Sequence, residues 1–223
     1  EFLDKTCLAS PEEALLCAKK ELGREIMLAQ RMLSTGLALI SHFRSSGKRD
    51  VMYIELVVDN IQSEITRYLW NISCGQLSPA HSRRLFAFSS IVYDIERIGD
   101  RSMNLVELAE SRHNRKAVFS DAAKAELEEV AGLVVKNVDY AAQIIEDRNG
   151  KTLQAMAERH LQVLVAIKIA TDNHLVRFYQ KACRAEAGPI FVDILVNLAR
   201  ISDHSLVIAE HMCNMDEKNP QVV

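Results

Sequence analysis

Residues 94–101 read DIERIGDR, and residues 197–204 read NLARISDH. Both phrases lie in stretches where apolar residues recur every three to five positions, which is the spacing of one face of an α-helix. The second phrase begins 103 positions after the first (197 − 94), so the chain carries an internal repeat. The repeat predicts two helical units of the same plan.

Turn-forming residues divide the rest of the apolar pattern into six segments. Ser10 and Pro11 open the first as cap and first helical residue, and Ser78 and Pro79 open the third in the same way. The predicted helices span about residues 11–45, 49–73, 79–112, 121–148, 151–181 and 185–214. Eight glycines and four prolines are too few for an all-β fold, so the sequence predicts an all-α protein.

Each half of the chain carries three of these helices, joined by short connections. That pattern is typical of an antiparallel helix bundle. We therefore predict two tandem three-helix antiparallel bundles, with a first repeat in residues 1–115 and a second in residues 116–223. The mostly polar tail, residues 216–223, is predicted to fray.

Charge and cysteine content exclude several function classes. The formal net charge of −3 gives no overall attraction to nucleic acid. Five widely spaced cysteines without a CxxC motif favour reduced thiols and a cytoplasmic protein. No apolar run approaches the ~18 residues of a membrane span. The chain begins with Glu1 rather than Met, so we expect it to be a processed or excised part of a longer product.

Acidic residues repeat at one spacing on two neighbouring helices. Glu96 and Asp100 are four residues apart, hence on one helix face, and Glu55 and Asp59 have the same spacing. In an antiparallel hairpin whose turn is centred at residues 77–78, Glu55 faces Asp100 and Asp59 faces Glu96. The hairpin thus brings four carboxylates together.

Four neighbouring carboxylates repel each other, and their burial is unfavourable unless cations compensate. Oxygen ligands on paired helices suit divalent Mg, Mn, Fe or Zn. We therefore predict a divalent metal site formed by Glu55, Asp59, Glu96 and Asp100. The alternative is that each pair is one of the acidic pairs common on solvated helix faces.

The corresponding positions of the second repeat are His160, Leu164, Ala199 and Asp203. Two of the four are apolar, so we expect at most a one-ion remnant held by His160 and Asp203, or else an ordinary surface pair. His174 and Arg177 have two interpretations of their own: an anion site or an ordinary helix-face pair. Four aromatic residues around the first hairpin are predicted to pack its core: Tyr68, Trp70, Phe86 and Phe88.

Residues 93–104 and 187–204 strongly resemble the signature of PhoU domains. PhoU-like proteins are helical, consist of two three-helix repeats and act in phosphate homeostasis, and some bind multinuclear metal clusters through ExxxD motifs. The resemblance implies that the family's acidic positions correspond here to Glu55, Asp59, Glu96 and Asp100. Asn104 lies beside them. The second repeat departs from the motif and retains only Asp203, because other residue types occupy the remaining motif positions: Leu164, Ala199 and Val207.

Five stretches look more like the cytoplasmic domain of bacterial sodium/phosphate cotransporter family proteins, where it follows the membrane-embedded portion: residues 2–4, 10–11, 14–20, 172–178 and 187–204. This resemblance implies a non-enzymatic regulatory domain at the cytoplasmic face of the inner membrane. Its partner would be the membrane-embedded portion of the transporter or transporter subunits.

Two alternatives stay open at this point. One is a free-standing PhoU-type regulator of phosphate ABC uptake and sensor-kinase signalling. The other, from a different class, is a metal-dependent hydrolase that uses a metal-bound water at the first-repeat carboxylates. PhoU-like proteins often dimerise, and long amphipathic helices with spare apolar faces allow a homodimer here too.

Overall fold

The computed structural model describes residues 2–147, 150–181 and 186–215. These residues form six α-helices, preceded by a short 3₁₀ helix at Lys5–Ala9. The helices are α1 Pro11–Ser41, α2 Ser45–Ser73, α3 Pro79–Asn114, α4 Asp121–Glu146, α5 Gly150–Tyr179 and α6 Ala187–Asn214. No strand occurs in the described part of the chain. The predicted all-α class with six helices is confirmed.

The sequence placed the break between the first two helices at residues 46–48, with Gly47 as the helix stop, and this prediction was wrong. α1 stops at Ser41, and α2 begins at Ser45 with Gly47 buried in its first turn. A Cβ atom at Gly47 would lie 2.9 Å from Leu39 Cδ2, so the glycine lets the two helices approach closely. The predicted end of the fourth helix at 148, the predicted start of the sixth at 185 and the predicted tail, residues 216–223, lie outside the described residues.

Helix contacts group the elements in threes. α1, α2 and α3 pack against one another, as do α4, α5 and α6, while α1 contacts α4 and α3 contacts α6 along the middle of the molecule. The buried apolar side chains of both groups form one continuous core. Because the core is continuous, the division of the chain into two repeats near residue 115 remains a prediction from the sequence.

Two of the four aromatic residues assigned to the core are in fact exposed, and that prediction was wrong for them. Tyr68 and Phe88 are buried, whereas Trp70 is 66% exposed and Phe86 is 71% exposed. Tyr68 lies on the face of α2 that carries the buried Ile65 and Ile72, and Trp70 lies two residues beyond it. A step of two residues turns a helical side chain to the opposite side, which explains the error.

No helix among the described residues is both long and apolar enough to cross a membrane.

Candidate functional site

The four predicted carboxylates lie where α2 packs against α3. Apolar residues of both helices point into the core and leave the acids at its margin. Glu55, Glu96 and Asp100 are half-buried, and Asp59 is exposed. We refer to Glu55, Asp59, Glu96 and Asp100 as the acidic patch.

Electrostatics shows that these carboxylates act on one another. Burial raises the pKa of Glu55, and the charges of Asp59, Asp100 and Glu107 raise it further. Burial followed by Asp100 also raises the pKa of Asp59, and burial and Asp100 raise the pKa of Glu96. The charge of Asp100 thus raises the pKa of all three other members of the acidic patch.

Arg97 partly compensates this negative charge. Its Nη1 lies 2.9 Å from Asp100 Oδ2, its Nε lies 3.3 Å from Glu96 Oε2, and its guanidinium lies 4.7 Å from the centroid of the Tyr93 ring. The Glu96 contact is an ion pair without hydrogen-bond geometry, because Glu96 Oε2 and Arg97 Nε are both buried without a hydrogen-bond partner. Arg97 therefore pairs with Glu96 and Asp100, and it does not compensate the charges of Glu55 and Asp59.

Glu25 of α1 is a further acid at this site, which the sequence reasoning missed. Its side chain is fully buried, and neither of its carboxyl oxygens has a hydrogen-bond partner. Burial, followed by the charges of Glu21 and Glu96, raises the pKa of Glu25 well above its usual value. The available signal was its position between Leu22 and Ile26, in the apolar stripe of α1, where an acid is out of place.

The side chains at this site carry ligand atoms that suit a divalent cation, but they lie too far apart to bind one together. All donors are carboxylate oxygens, and those of Glu25, together with Glu96 Oε2, are buried and lack hydrogen-bond partners. Yet within residues 2–147, 150–181 and 186–215 no three His, Cys, Asp or Glu side chains lie close enough to hold a metal ion. A bound ion would therefore require the half-exposed carboxylates to rotate toward one another.

The second repeat places His160 and Asp203 in different surroundings. His160 Nδ1 lies 3.0 Å from the Ser202 hydroxyl, which accepts a hydrogen bond from the buried Asn137 side chain at 2.9 Å. Asp203 lies 4.0 Å from Arg200 on the surface. In the described part of the chain no hydrogen bond or ion pair joins His160 to Asp203. His160 thus belongs to a polar network with the buried Ser202 and Asn137, and Asp203 lies outside that network.

The repeated phrases also supply the contacts between α3 and α6. His204 Nδ1 lies 2.9 Å from Asp94 Oδ1, and Asn104 donates to Asn197 at 3.3 Å. Asp94 and Asn197 occupy equivalent positions of the two phrases, 103 residues apart (197 − 94). The phrase therefore has a structural role at the junction of the two helix groups.

His174 and Arg177 have a structural role as well. Arg177 makes a two-pronged contact with Glu126, with Nη1 and Nη2 at 2.8 and 2.6 Å from its carboxylate oxygens. The His174 ring stacks on Phe191 with the ring centroids 5.1 Å apart. Both side chains therefore connect α5 to neighbouring helices, and the Glu126 carboxylate beside Arg177 argues against an anion site.

Comparisons with known proteins agree with this architecture. Residues 22–109, which hold the whole acidic patch, match the family model of the PhoU domain. The crystal structure of PhoU from Pseudomonas aeruginosa has a TM-score of 0.76 at 19% identity, covering 94% of this chain and 97% of that one. The phosphate transport system regulatory protein PhoU from Streptococcus pneumoniae has a TM-score of 0.81 at 13% identity, covering 93% and 97%. No curated protein sequence matches significantly.

The chain thus has the six-helix fold of PhoU proteins along nearly its whole length. The match of residues 22–109 confirms the resemblance to the PhoU domain family. The finer likeness to the cytoplasmic domain of sodium/phosphate cotransporters remains a prediction.

Proposed function

We propose that this protein is a non-enzymatic regulator of phosphate transport. The observation that carries the proposal is the likeness, over more than nine-tenths of the chain, to a phosphate transport system regulatory protein. Because the matching family model and the similar solved structures are of PhoU proteins, we favour a PhoU-type regulator of phosphate ABC uptake over a cotransporter domain. In this form it would act at the cytoplasmic face of the membrane by contact with transporter subunits.

The second candidate is the cytoplasmic part of a sodium-dependent phosphate cotransporter. Its support is the resemblance to that family of residues 2–4, 10–11, 14–20, 172–178 and 187–204. In this case the partner is the membrane-embedded portion of the same transporter. The two candidates differ in whether sodium is needed for the uptake that the protein controls.

Phosphate uptake tests the proposal and separates the two candidates. We expect cells that lack the encoding gene to take up radiolabelled phosphate at an altered rate in phosphate-rich medium, and the wild-type gene to restore the rate. Replacing sodium with potassium abolishes the affected uptake if the protein belongs to a cotransporter and leaves it intact if the transporter is of the ABC type. Uptake that is unchanged by the deletion contradicts both candidates.

We further propose that the acidic patch binds divalent cations. The support is the mutual effect of its carboxylates on their pKa values: the charge of Asp100 raises the pKa of each of the other three. A cation shared by α2 and α3 would offset this repulsion, and its loss would weaken the packing of the two helices. Such a change in packing is one way in which a cation could alter contact with a transporter.

Metal content tests this site directly. We expect protein purified without chelator to retain Fe, Mn, Zn or Mg, and the double variant Glu96→Gln, Asp100→Asn to retain much less. The matched control is Asp121→Asn, Glu129→Gln, which removes two exposed acids of α4 and leaves the acidic patch intact. If elemental analysis finds the same metal content in all three proteins, the proposed metal site is wrong.

The hydrolase alternative makes a different prediction about the acidic patch. It requires hydrolysis of a phosphate ester with added Mn²⁺ or Fe²⁺, and loss of that hydrolysis in the Glu96→Gln, Asp100→Asn variant. A non-enzymatic regulator gives the same background rate for the wild type and the variant. Patch-dependent turnover would overturn the proposal.

A further inference from the structure

Two thiols meet where the short 3₁₀ helix packs against α1. Cys7 belongs to the 3₁₀ helix, and Cys17 lies ten positions further along the chain (17 − 7), in α1. The Cys17 thiol donates a hydrogen bond to Cys7 Sγ at 3.1 Å. Both residues are half-buried, which leaves the sulfur atoms within reach of a small solute. We call Cys7 and Cys17 the thiol pair.

The geometry of the thiol pair is close to that of a disulfide. A disulfide bond is about 2.05 Å long, so the two sulfur atoms need to approach by only about 1 Å from their present contact. Small rotations of two short side chains supply such a movement. Because the residues belong to two elements that already pack together, the bond would form without a rearrangement of the backbone.

The segment that carries Cys7 is attached to the helices by polar contacts as well. The Phe2 backbone N–H donates to the Glu21 carboxylate of α1 at 2.6 Å. The hydroxyl of Tyr68, which is buried on α2, donates to the backbone oxygen of Asp4 at 2.8 Å. The thiol pair is therefore a third connection between residues 2–9 and the helix bundle, and it is the one that oxidation can make covalent.

We propose that the thiol pair is an oxidation site, at which hydrogen peroxide converts the two thiols into a disulfide that links residues 2–9 to α1. Both cysteines are thiols in this structure. Disulfides in reducing compartments are usually transient and respond to oxidants, so the thiol form is the resting state and the disulfide is the oxidised state.

Cys17 is the residue that reacts first. Its hydrogen bond to Cys7, followed by burial, raises the pKa of Cys7 to about 11, so Cys7 stays protonated at neutral pH. The thiolate is the nucleophilic form of cysteine. The Cys17 thiolate attacks one peroxide oxygen and the O–O bond breaks, which gives a sulfenic acid on Cys17. The released hydroxide takes up the proton that Cys17 lost and becomes water.

Cys7 completes the reaction. Its sulfur attacks the sulfur of the Cys17 sulfenic acid, the S–S bond forms and the S–O bond breaks. The Cys7 proton leaves with the departing hydroxide as a second water. Two thiols are thus oxidised by two electrons in total, and one peroxide is reduced to two waters.

The disulfide should stabilise the protein, because it closes the loop of residues 7–17 and so restricts the unfolded chain. For a loop of this length we expect the melting temperature of the oxidised protein to rise by about 5 °C. Dithiothreitol should reverse the rise. The variant Cys17→Ser should melt at the same temperature with and without peroxide.

Peptide mapping of the full chain tests the proposal. Residues 6–19 contain both cysteines and no internal Lys or Arg, so trypsin releases the thiol pair on one peptide. After treatment with hydrogen peroxide and alkylation of the remaining thiols, we expect this peptide to be two hydrogen atoms lighter than its reduced form and to carry no alkyl group. In Cys7→Ser the sulfenic acid cannot be resolved, so dimedone should label Cys17.

Cys74→Ser is the matched control, because Cys74 is exposed near the end of α2 and the substitution leaves the thiol pair intact. It should form the disulfide as the wild type does. Far-UV circular dichroism of each variant checks the fold. A peptide of residues 6–19 that stays fully alkylated while Cys74 is oxidised, or a melting temperature that peroxide leaves unchanged, would overturn the proposal. Dimedone labelling of Cys7 in Cys17→Ser without labelling of Cys17 in Cys7→Ser would overturn the order of the two steps.

Discussion

Replacing Glu25 with Gln should stabilise the protein at alkaline pH and have little effect at acidic pH. The wild-type carboxyl is buried without a hydrogen-bond partner, so its pKa in the folded state is well above its value in the unfolded chain. The folded state therefore favours the protonated form, and wild-type stability falls as the pH rises above the unfolded-state pKa. The amide introduced by Glu25→Gln cannot ionise and avoids this loss.

The magnitude follows from burial. A buried polar group without a hydrogen-bond partner costs about 1–3 kcal/mol and a charged one more, so a stability gain of this order is expected where the wild-type carboxyl must ionise, near pH 8. Urea unfolding from about pH 5 to pH 8, in buffers containing a chelator, measures the difference between the two proteins as a function of pH. A difference that does not change with pH would contradict the buried, unpartnered state of Glu25.

Glu21, one helical turn away, provides the matched control because it is equally buried but has partners. Its carboxylate accepts hydrogen bonds from the Phe2 backbone N–H and from Arg24. Glu21→Gln weakens these charge-assisted hydrogen bonds and should destabilise the protein by about 1–2 kcal/mol. At neutral pH the same Glu→Gln substitution on α1 is thus expected to stabilise the protein at position 25 and to destabilise it at position 21.

Replacing Phe191 with Ala should be the most destabilising single change in the second helix group. The Phe191 side chain is fully buried on α6, with Phe119 at a centroid distance of 5.7 Å and His174 at 5.1 Å. The ring therefore joins α6 to α5 and to the segment before α4. Its removal should cost about 3–5 kcal/mol, from lost burial and the cavity left behind.

Phe86→Ala is the control for this change, because Phe86 lies on the surface. It should shift the free energy of unfolding by less than about 0.5 kcal/mol. Thermal or urea unfolding of the two variants beside the wild type gives the comparison. Equal losses for Phe86 and Phe191 would show that the assignment of the two rings to surface and core is wrong.

The helices could be predicted from sequence because their signals are local. Apolar spacing defines the buried faces, and Ser10 with Pro11 and Ser78 with Pro79 mark two starts that the structure reproduces. The approach of the acids on α2 to those on α3 also followed from local information. Both helices adjoin one short turn, so the register of the hairpin was fixed by the position of that turn.

Features that depend on contacts between distant segments could not be predicted in this way. The apolar stripe of α1 places Glu25 on the buried face, but its lack of a hydrogen-bond partner depends on how α1 packs against α3. Gly47 looked like a helix stop, because only the folded chain reveals Leu39 above it. The hydrogen bond of His160 to Ser202 likewise depends on the rotation of α5 against α6.

The pairing of Arg97 with two of the carboxylates bears on how the acidic patch could work. Because Arg97 pairs with Glu96 and Asp100, the repulsion between the carboxylates of α2 and α3 is reduced but not removed. Neutralising Glu96 and Asp100 lowers the repulsion further, so the Glu96→Gln, Asp100→Asn variant should fold at least as well as the wild type. A functional defect in this variant would therefore reflect the lost carboxylates rather than unfolding.

The most direct test of the account is phosphate uptake in cells that lack the gene and carry one of three complementing copies. The wild type and the Asp121→Asn, Glu129→Gln control should restore the normal rate of uptake, while the Glu96→Gln, Asp100→Asn variant, present at equal abundance, should not. This result would tie the acidic patch to the regulation of phosphate transport. Full restoration by the Glu96→Gln, Asp100→Asn variant would contradict it.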